Sequence, residues 1–172
     1  MPRVFVGVGS NIDRDVSIRA GVSDLKKHYG DLQLSSVYES EAVGFEGDVF
    51  YNLVVAFNTE ESIEQVVAVL SRIEEAHGRV RGSERFSSRT LDLDLLLYGD
   101  LVASGEGYHV PRDEIPRYAF VLWPLSELAP NMVNPETGET FSTICELFDK
   151  RNQVLEPITF EWSQEKAKKP DG

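Results

Sequence analysis

Cysteine is almost absent from this 172-residue chain: Cys145 stands alone. That excludes an internal disulfide framework and any metal site built from several thiolates, and the thiol itself is expected as an ordinary buried or half-buried side chain on a helix. Basic residues are also few, 17 against 29 acidic ones, for a net charge of −12. A sequence-independent nucleic-acid binder needs a broad basic surface, so no nucleic-acid partner is expected. A small anionic ligand stays open, because local charge can oppose net charge. Long apolar runs are missing too. No stretch nears the ~20 apolar residues of a membrane-spanning helix. The start, MPRVFVGVGSN, has neither the apolar length nor the cleavage pattern of a signal peptide. A soluble cytoplasmic protein without membrane contact is the expectation. No repeat or low-complexity segment is evident, and an apolar fraction of 41% can build one core. The expected organisation is a single domain over residues 1–162 and a frayed polar tail over 163–172.

What is present reads as alternating strands and helices. Arg3 to Gly9 is a buried strand that runs into Gly9-Ser10-Asn11, and Asp13 or Asp15 is placed to cap the helix that follows. Ile18, Val22, Leu25 and Tyr29 share one face of that helix, which Gly30-Asp31 ends. Residues 32–39 alternate with period two, and Phe50 to Asn58 returns to strand character. Ser62 and Gln65 make a capping box, and Ile63, Val66, Val67, Leu70 and Ile73 supply the apolar stripe of a helix ending near Gly78. Thr90 to Tyr98 reads as a strand closed by Gly99-Asp100, and His109-Val110-Pro111 ends a shorter one. Helices are expected over 118–128 and 143–150. The order strand, helix, strand, strand, helix, strand matches a repeated split β-α-β unit. The fold class is therefore α+β, a ferredoxin-like antiparallel-sheet core packed with helices. A doubly wound parallel sheet is the alternative. The short link between 32–39 and 50–58 favours an antiparallel pair instead.

The sharpest chemical signal is Arg89-Thr90-Leu91-Asp92-Leu93-Asp94-Leu95. On a strand Asp92 and Asp94 project to one side, with Leu91, Leu93, Leu95 and Leu97 on the other. Two carboxylates there need water, hydrogen bonds or a cation, and hard oxygen donors with phosphate suit Mg²⁺. A solvated sheet face is the plainer reading of the pair. Just upstream, Arg79, Arg81, Arg85 and Arg89 face only Glu84, a local charge of +3. Guanidinium groups hold phosphate oxygens bidentately and offset charge that develops during transfer. Glu74 and His77 precede this loop: Glu74 can orient a hydroxyl or an arginine, while His77 either touches phosphate or merely ends its helix. Asn52 can read the polar edge of a heterocycle or serve structure alone. No serine–histidine–acid order stands out among His28, His77 and His109.

In the motifs GSN at 9–11, FYN at 50–52, RIEEAHGRVR at 72–81, SRTLDLDLLLYGD at 88–100 and VPRDEIPRYAFVLWPLSELAP at 110–130, the chain resembles the 6-hydroxymethyl-7,8-dihydropterin pyrophosphokinases of folate biosynthesis. The pieces lie in family order and cover most of residues 3–130. The resemblance implies a ferredoxin-like core and transfer of pyrophosphate from ATP to the pterin hydroxymethyl group, giving AMP and the pterin diphosphate. It implies ATP and the reduced hydroxymethylpterin as partners, ATP being the co-substrate, and two Mg²⁺ ions held by Asp92 and Asp94. It places Ser71, Glu74, Arg79, Arg81, Arg89, Leu95 and Arg112 at ATP, with Arg79 and Arg89 supporting transfer. It places Ser40, Val43, Phe50, Asn52, Phe86 and Phe120 at the pterin. A monomer is the expected state.

Departures from the family pattern bear on substrate and rate. Ser40-Glu41 replaces a frequent threonine-proline pair, Phe86 a tryptophan, and Ser87-Ser88 a glycine-proline pair. Arg112 stands for a histidine, and Tyr118 for an arginine that Arg117 neighbours. These leave two other readings: a related metal-dependent phosphotransferase acting on another alcohol, or a non-catalytic pterin-binding or scaffold protein. The intact aspartate pair favours an active enzyme.

Overall fold

Strand β1 (Arg3–Ser10) is apolar toward one side and nearly bare toward the other. Val4, Val6 and Val8 join one core cluster, whereas Phe5 joins a second and is followed on its side by Gly7 and Gly9. Such a strand is buried on both faces and belongs in the middle of a sheet. The computed structural model, which describes residues 1–40, 49–78, 91–149, 153 and 155–162, places it there. After β1 come α1 (Arg14–Tyr29), the short β2 (Gln33–Leu34), β3 (Val37–Ser40), β4 (Phe50–Asn58), α2 (Ile63–Ala76) and β5 (Asp92–Tyr98). A hairpin of β6 (Ala103–Gly105) and β7 (Tyr108–Val110) follows, then α3 (Ala119–Leu128), α4 (Phe141–Leu147) and β8 (Leu155–Ile158). The main sheet has the order β5-β1-β4-β3-β8, every pair antiparallel, with β2 also paired to β4. This is the ferredoxin-like α+β arrangement.

The two faces hold two cores. Ile18, Val22 and Leu25 of α1 and Val66, Leu70 and Ile73 of α2 pack on Val4, Val6, Val55, Leu93 and Leu95. On the other face, Val121, Leu122 and Leu125 of α3 and Phe141 of α4 pack on Phe5, Val54, Leu96 and Leu97. Ser62 caps α2 in the expected box, accepting from the Gln65 amide while the Gln65 side chain accepts from Ser62 N–H. Among the described residues, no helix is long and apolar enough to cross a membrane. Cys145 is half-buried on α4.

Several expectations are corrected. The segment 32–39 is two strands, because Ser35 leaves the ladder: its amide donates to the Val54 carbonyl, and its hydroxyl accepts from the Val54 amide. Asp13 precedes α1 in a left-handed conformation (φ 45°) and makes no side-chain cap. Val67 is only half-buried on α2 while Val69 is buried, so the apolar stripe is rotated toward Val69. Leu97 lies on the α3 face with Leu96 rather than with Leu91, Leu93 and Leu95. A bulge opposite Phe5 and Val6, where Phe5 pairs Leu97 and Val6 pairs Leu95, inserts one residue and flips the alternation. The strands β6 and β8 had no sequence counterpart. Thr90 and the tail from 163 lie outside the described residues.

Glu61 ties the end of α1 to the start of α2. Its carboxylate meets His28 Nε2 at 2.8 Å and accepts from the Tyr29 hydroxyl at 2.8 Å. Burial alone would raise the Glu61 carboxyl, but the His28 and Tyr29 hydrogen bonds and the charges of His28 and Arg72 outweigh it and hold it below the ordinary 4.5. A depressed carboxylate stabilises the fold fully above its unfolded pKa, and the contribution fades as pH falls through the lowered folded value. Urea midpoints measured from pH 7 downward should therefore fall below about pH 4.5. Glu61→Gln should flatten part of that acid limb, and an identical limb in the variant would reject the linkage.

Candidate active site

The face of the sheet that carries α3 also carries the candidate site residues Asp92, Asp94, Asn52 and Ser40. β5 runs beside β1, and its register places Asp92 opposite Gly9 and Asp94 opposite Gly7. Leu91, Leu93 and Leu95 are anchored in the α1–α2 core, so the alternation turns Asp92 and Asp94 to the opposite face, where both are half-buried. The two glycines carry no side chain, and neighbouring side chains use that space: a β-carbon would meet Leu96 at 3.6 Å over Gly7 and Asn52 Oδ1 at 2.8 Å over Gly9. Alternating glycines in a strand are the sequence signal for this close approach. Gly9 stands out in the sequence only as part of a weak GSN motif, and Gly7 does not stand out at all.

Next along the same row, Gly9 pairs with Asn52 of β4, and Asn52 pairs with Tyr38 of β3. Asp92, Gly9 and Asn52 thus form one rung across three strands, with Asp92 and Asn52 about 10 Å apart by strand spacing. Asn52 is buried and donates through Nδ2 to the buried Ser40 hydroxyl at 2.7 Å. Phe50 pairs with Ser40 at the end of this ladder. α3 packs across β4 and β3 on this face, with Phe120 half-buried in its first turn and stacked on Tyr118 at 5.2 Å between centroids. The pterin-side candidates Ser40, Phe50 and Asn52 are therefore neighbours, and Phe120 comes from the helix that packs on the same sheet face. Val43 and Phe86 lie outside the described residues.

At the β5 edge, the buried Glu74 of α2 accepts the Leu93 amide at 2.7 Å through Oε2. That amide sits between the two aspartates, so Glu74 fixes the main chain from which both carboxylates project. Ser71 is half-buried one turn earlier on α2, on the same flank. Leu95 buries its side chain in the core and has only main-chain groups to offer a nucleotide. Arg112 follows β7, and its amide donates to the Leu96 carbonyl. Its guanidinium lies 3.6 Å from Asp94 Oδ1 and 2.6 Å from Glu114 Oε1. Burial alone would lower its pKa, yet Asp94, Glu114 and Asp92 outweigh burial and raise it, so Arg112 stays charged. Arg79, Arg81 and Arg89 lie outside the described residues.

His77 ends α2, with its Nε2 2.8 Å from Asp24 of α1. A serine–histidine–acid line that does not stand out in the sequence exists on the β6–β7 hairpin. Ser104 pairs across the strands with His109, Oγ to Nδ1 being 2.6 Å, and His109 Nε2 lies 3.0 Å from Asp113. Its side chains are wet, 43% exposed for His109 and 64% for Asp113, so the line is a surface hydrogen-bond chain.

The donor set fits a hard divalent cation. Two half-buried carboxylates on one strand face match the way Mg²⁺ is held by one or two side chains while phosphate and water complete its shell. Among the described residues no group of three or more His, Cys, Asp or Glu side chains could hold a metal ion, so an all-protein cage is not offered there.

Comparisons with known proteins identify the family. The family model described as 7,8-dihydro-6-hydroxymethylpterin-pyrophosphokinase (HPPK) matches residues 5–130. A relative from Aquifex aeolicus named 2-amino-4-hydroxy-6-hydroxymethyldihydropteridine pyrophosphokinase is 33% identical over 139 residues, 78% of this chain and 85% of its own. One of the same name from Haemophilus influenzae is 31% identical over 162 residues, 91% of this chain and all of its own. Among solved structures, Plasmodium falciparum HPPK-DHPS with pteroate superposes at a TM-score of 0.67 and 13% identity, over 84% of this chain and 42% of that one. That likeness shows the fold alone, and this chain spans less than half of that longer protein. With the match running from β1 through the paired aspartates to the end of α3, the chain belongs to the 7,8-dihydro-6-hydroxymethylpterin-pyrophosphokinase family.

Proposed function

We propose that the chain transfers pyrophosphate from ATP to the hydroxymethyl group of 6-hydroxymethyl-7,8-dihydropterin, releasing AMP and the pterin diphosphate, with the residue roles that follow. The observation that supports the assignment is the rung Asp92–Gly9–Asn52, in which a half-buried carboxylate and a buried amide share one row with a glycine between them. Mg²⁺ ions held by Asp92 and Asp94 together with ATP would supply charge neutralisation and polarise the attacking hydroxyl. Glu74 keeps both aspartates in register through the Leu93 amide. Arg112 takes up phosphate charge beside Asp94, Arg79, Arg81 and Arg89 bind the same nucleotide, and Arg79 and Arg89 support transfer. Ser71 and the Leu95 main chain complete the nucleotide side.

On the pterin side, Asn52 reads the polar edge of the ring and Ser40 orients Asn52. Phe50, Phe86, Phe120 and Val43 supply the apolar walls. Holding the alcohol and the phosphate chain at fixed separation removes orientational entropy, and excluding water from them strengthens each charge contact. The protein acts in this reading as a cytoplasmic monomer, and the charge of −12 speaks against a nucleic-acid partner.

The test is product identification. The protein incubated with ATP, Mg²⁺ and the reduced hydroxymethylpterin should form AMP and pterin diphosphate in equal amounts. Formation of ADP and a monophosphate, or binding of both substrates with no turnover, would overturn the assignment.

A further inference from the structure

Behind the pterin-side rungs, one guanidinium grips both strands. Glu39 of β3 and Tyr51 of β4 are cross-strand partners lying between the Tyr38–Asn52 and Ser40–Phe50 pairs. By alternation they face α1 while Asn52 and Ser40 face α3. Arg14, the first residue of α1, donates through Nη1 to Glu39 Oε2 at 3.3 Å and to the Val49 carbonyl at 3.1 Å. Its guanidinium carbon also lies 4.0 Å from the centroid of the Tyr51 ring, within cation–π range. The three contacts reach β3, the residue before β4, and β4 itself, and the Arg14 side chain is only 28% exposed. A planar, permanently charged fork suits such a clamp, whereas a lysine ammonium can satisfy the charge but cannot stack and donate in two directions from one plane.

We infer that Arg14 is a positioning residue for the pterin pocket, setting from behind the separation of the Ser40 and Asn52 side chains that meet on the front of the same ladder. The inference rests on the proposed function, in which Ser40 and Asn52 recognise the pterin. Arg14 touches neither substrate. It acts through the rung between them: without the clamp, β3 and β4 are free to shift at their ends, and the 2.7 Å Asn52–Ser40 contact loses its fixed geometry. The three Arg14 contacts go to Glu39, Val49 and Tyr51 rather than to β5, so the loss should fall mainly on the pterin side.

The experiment compares the parent, Arg14→Ala and Arg14→Lys by pterin fluorescence titration in the presence of a non-hydrolysable ATP analogue and Mg²⁺, alongside steady-state kinetics. Arg14→Ala should raise the pterin Kd and KM by about tenfold, as displacement of a positioned contact by part of an ångström does. The KM for ATP should stay within about twofold, because distant sites without shared partners behave independently. Arg14→Lys should recover only part of the loss. An unchanged pterin Kd in folded Arg14→Ala, or equal losses toward pterin and ATP, overturns the inference. If Arg14→Ala is too unstable to titrate, Glu39→Gln, which weakens one arm of the clamp and keeps the fold, must show the same pterin-selective loss; a selective loss supports the role and its absence overturns it. A parent protein that binds no reduced pterin overturns the proposed function itself, which separates the two failures.

Discussion

Asp94→Asn is expected to lower turnover by about 10²–10³-fold in a protein that still folds, the range seen when a group stabilising transition-state charge is removed. The substitution is isosteric and removes one negative charge from a side chain that is 32% exposed. Its ion pair with Arg112, at 3.6 Å, is long and partly solvated, so breaking it should cost the fold less than about 1 kcal/mol. Arg112 also keeps Glu114 as a counter-ion at 2.6 Å. The stability term is therefore small and the catalytic term large, which is what separates a cation ligand from a structural acid. Turnover with saturating ATP and Mg²⁺, read against the urea midpoint of the same preparation, decides the matter. Activity within twofold of the parent in a folded variant would show that Asp94 is not a ligand. Asp92→Asn, one rung away on the same face, should behave alike.

Gly9→Ala should weaken pterin binding by roughly ten- to a hundredfold while nucleotide affinity changes far less. A β-carbon at Gly9 would stand 2.8 Å from Asn52 Oδ1, closer than such atoms normally come. Something must move, and the Asn52 side chain is the movable part, since the other near atom is the Tyr51 carbonyl at 3.7 Å. Moving Asn52 breaks its buried hydrogen bond to Ser40 and adds a stability loss of about 1–3 kcal/mol. The decisive control is a double-mutant cycle. In an Asn52→Ala background the added methyl has no amide to displace, so Gly9→Ala should become nearly silent toward pterin. Additive losses would mean that the methyl acts through the strand rather than through Asn52.

How far the site could be read without the structure depended on how local each cause was. Asp92 and Asp94 share a face through the two-residue period of a strand, and the Ser62–Gln65 box spans four residues, so both were legible. The family motifs added the pterin and ATP assignments, which neighbouring residues alone do not dictate. Leu97 was misplaced because its direction depends on a bulge defined by β1, more than 80 residues upstream. The Ser104–His109–Asp113 line was missed because it needs the β6–β7 register. The clamp made by Arg14 was invisible for the same reason: its partners are 25 and 35 residues away.

By itself, the sequence determined the sign and density of charge, the want of a membrane-spanning run or a thiolate cage, the alternating elements and the pair of aspartates on one strand face. Those follow from composition and from contacts within one turn or one strand. Only the tertiary structure decided that Asp92, Gly9 and Asn52 form one rung, that Glu74 holds the strand between the aspartates, and that the acid-rich chain sets Arg112 against carboxylates and Arg14 against an aromatic ring. The physical reason is register. Antiparallel pairing fixes which side chains of distant strands are neighbours, and no single segment carries that information.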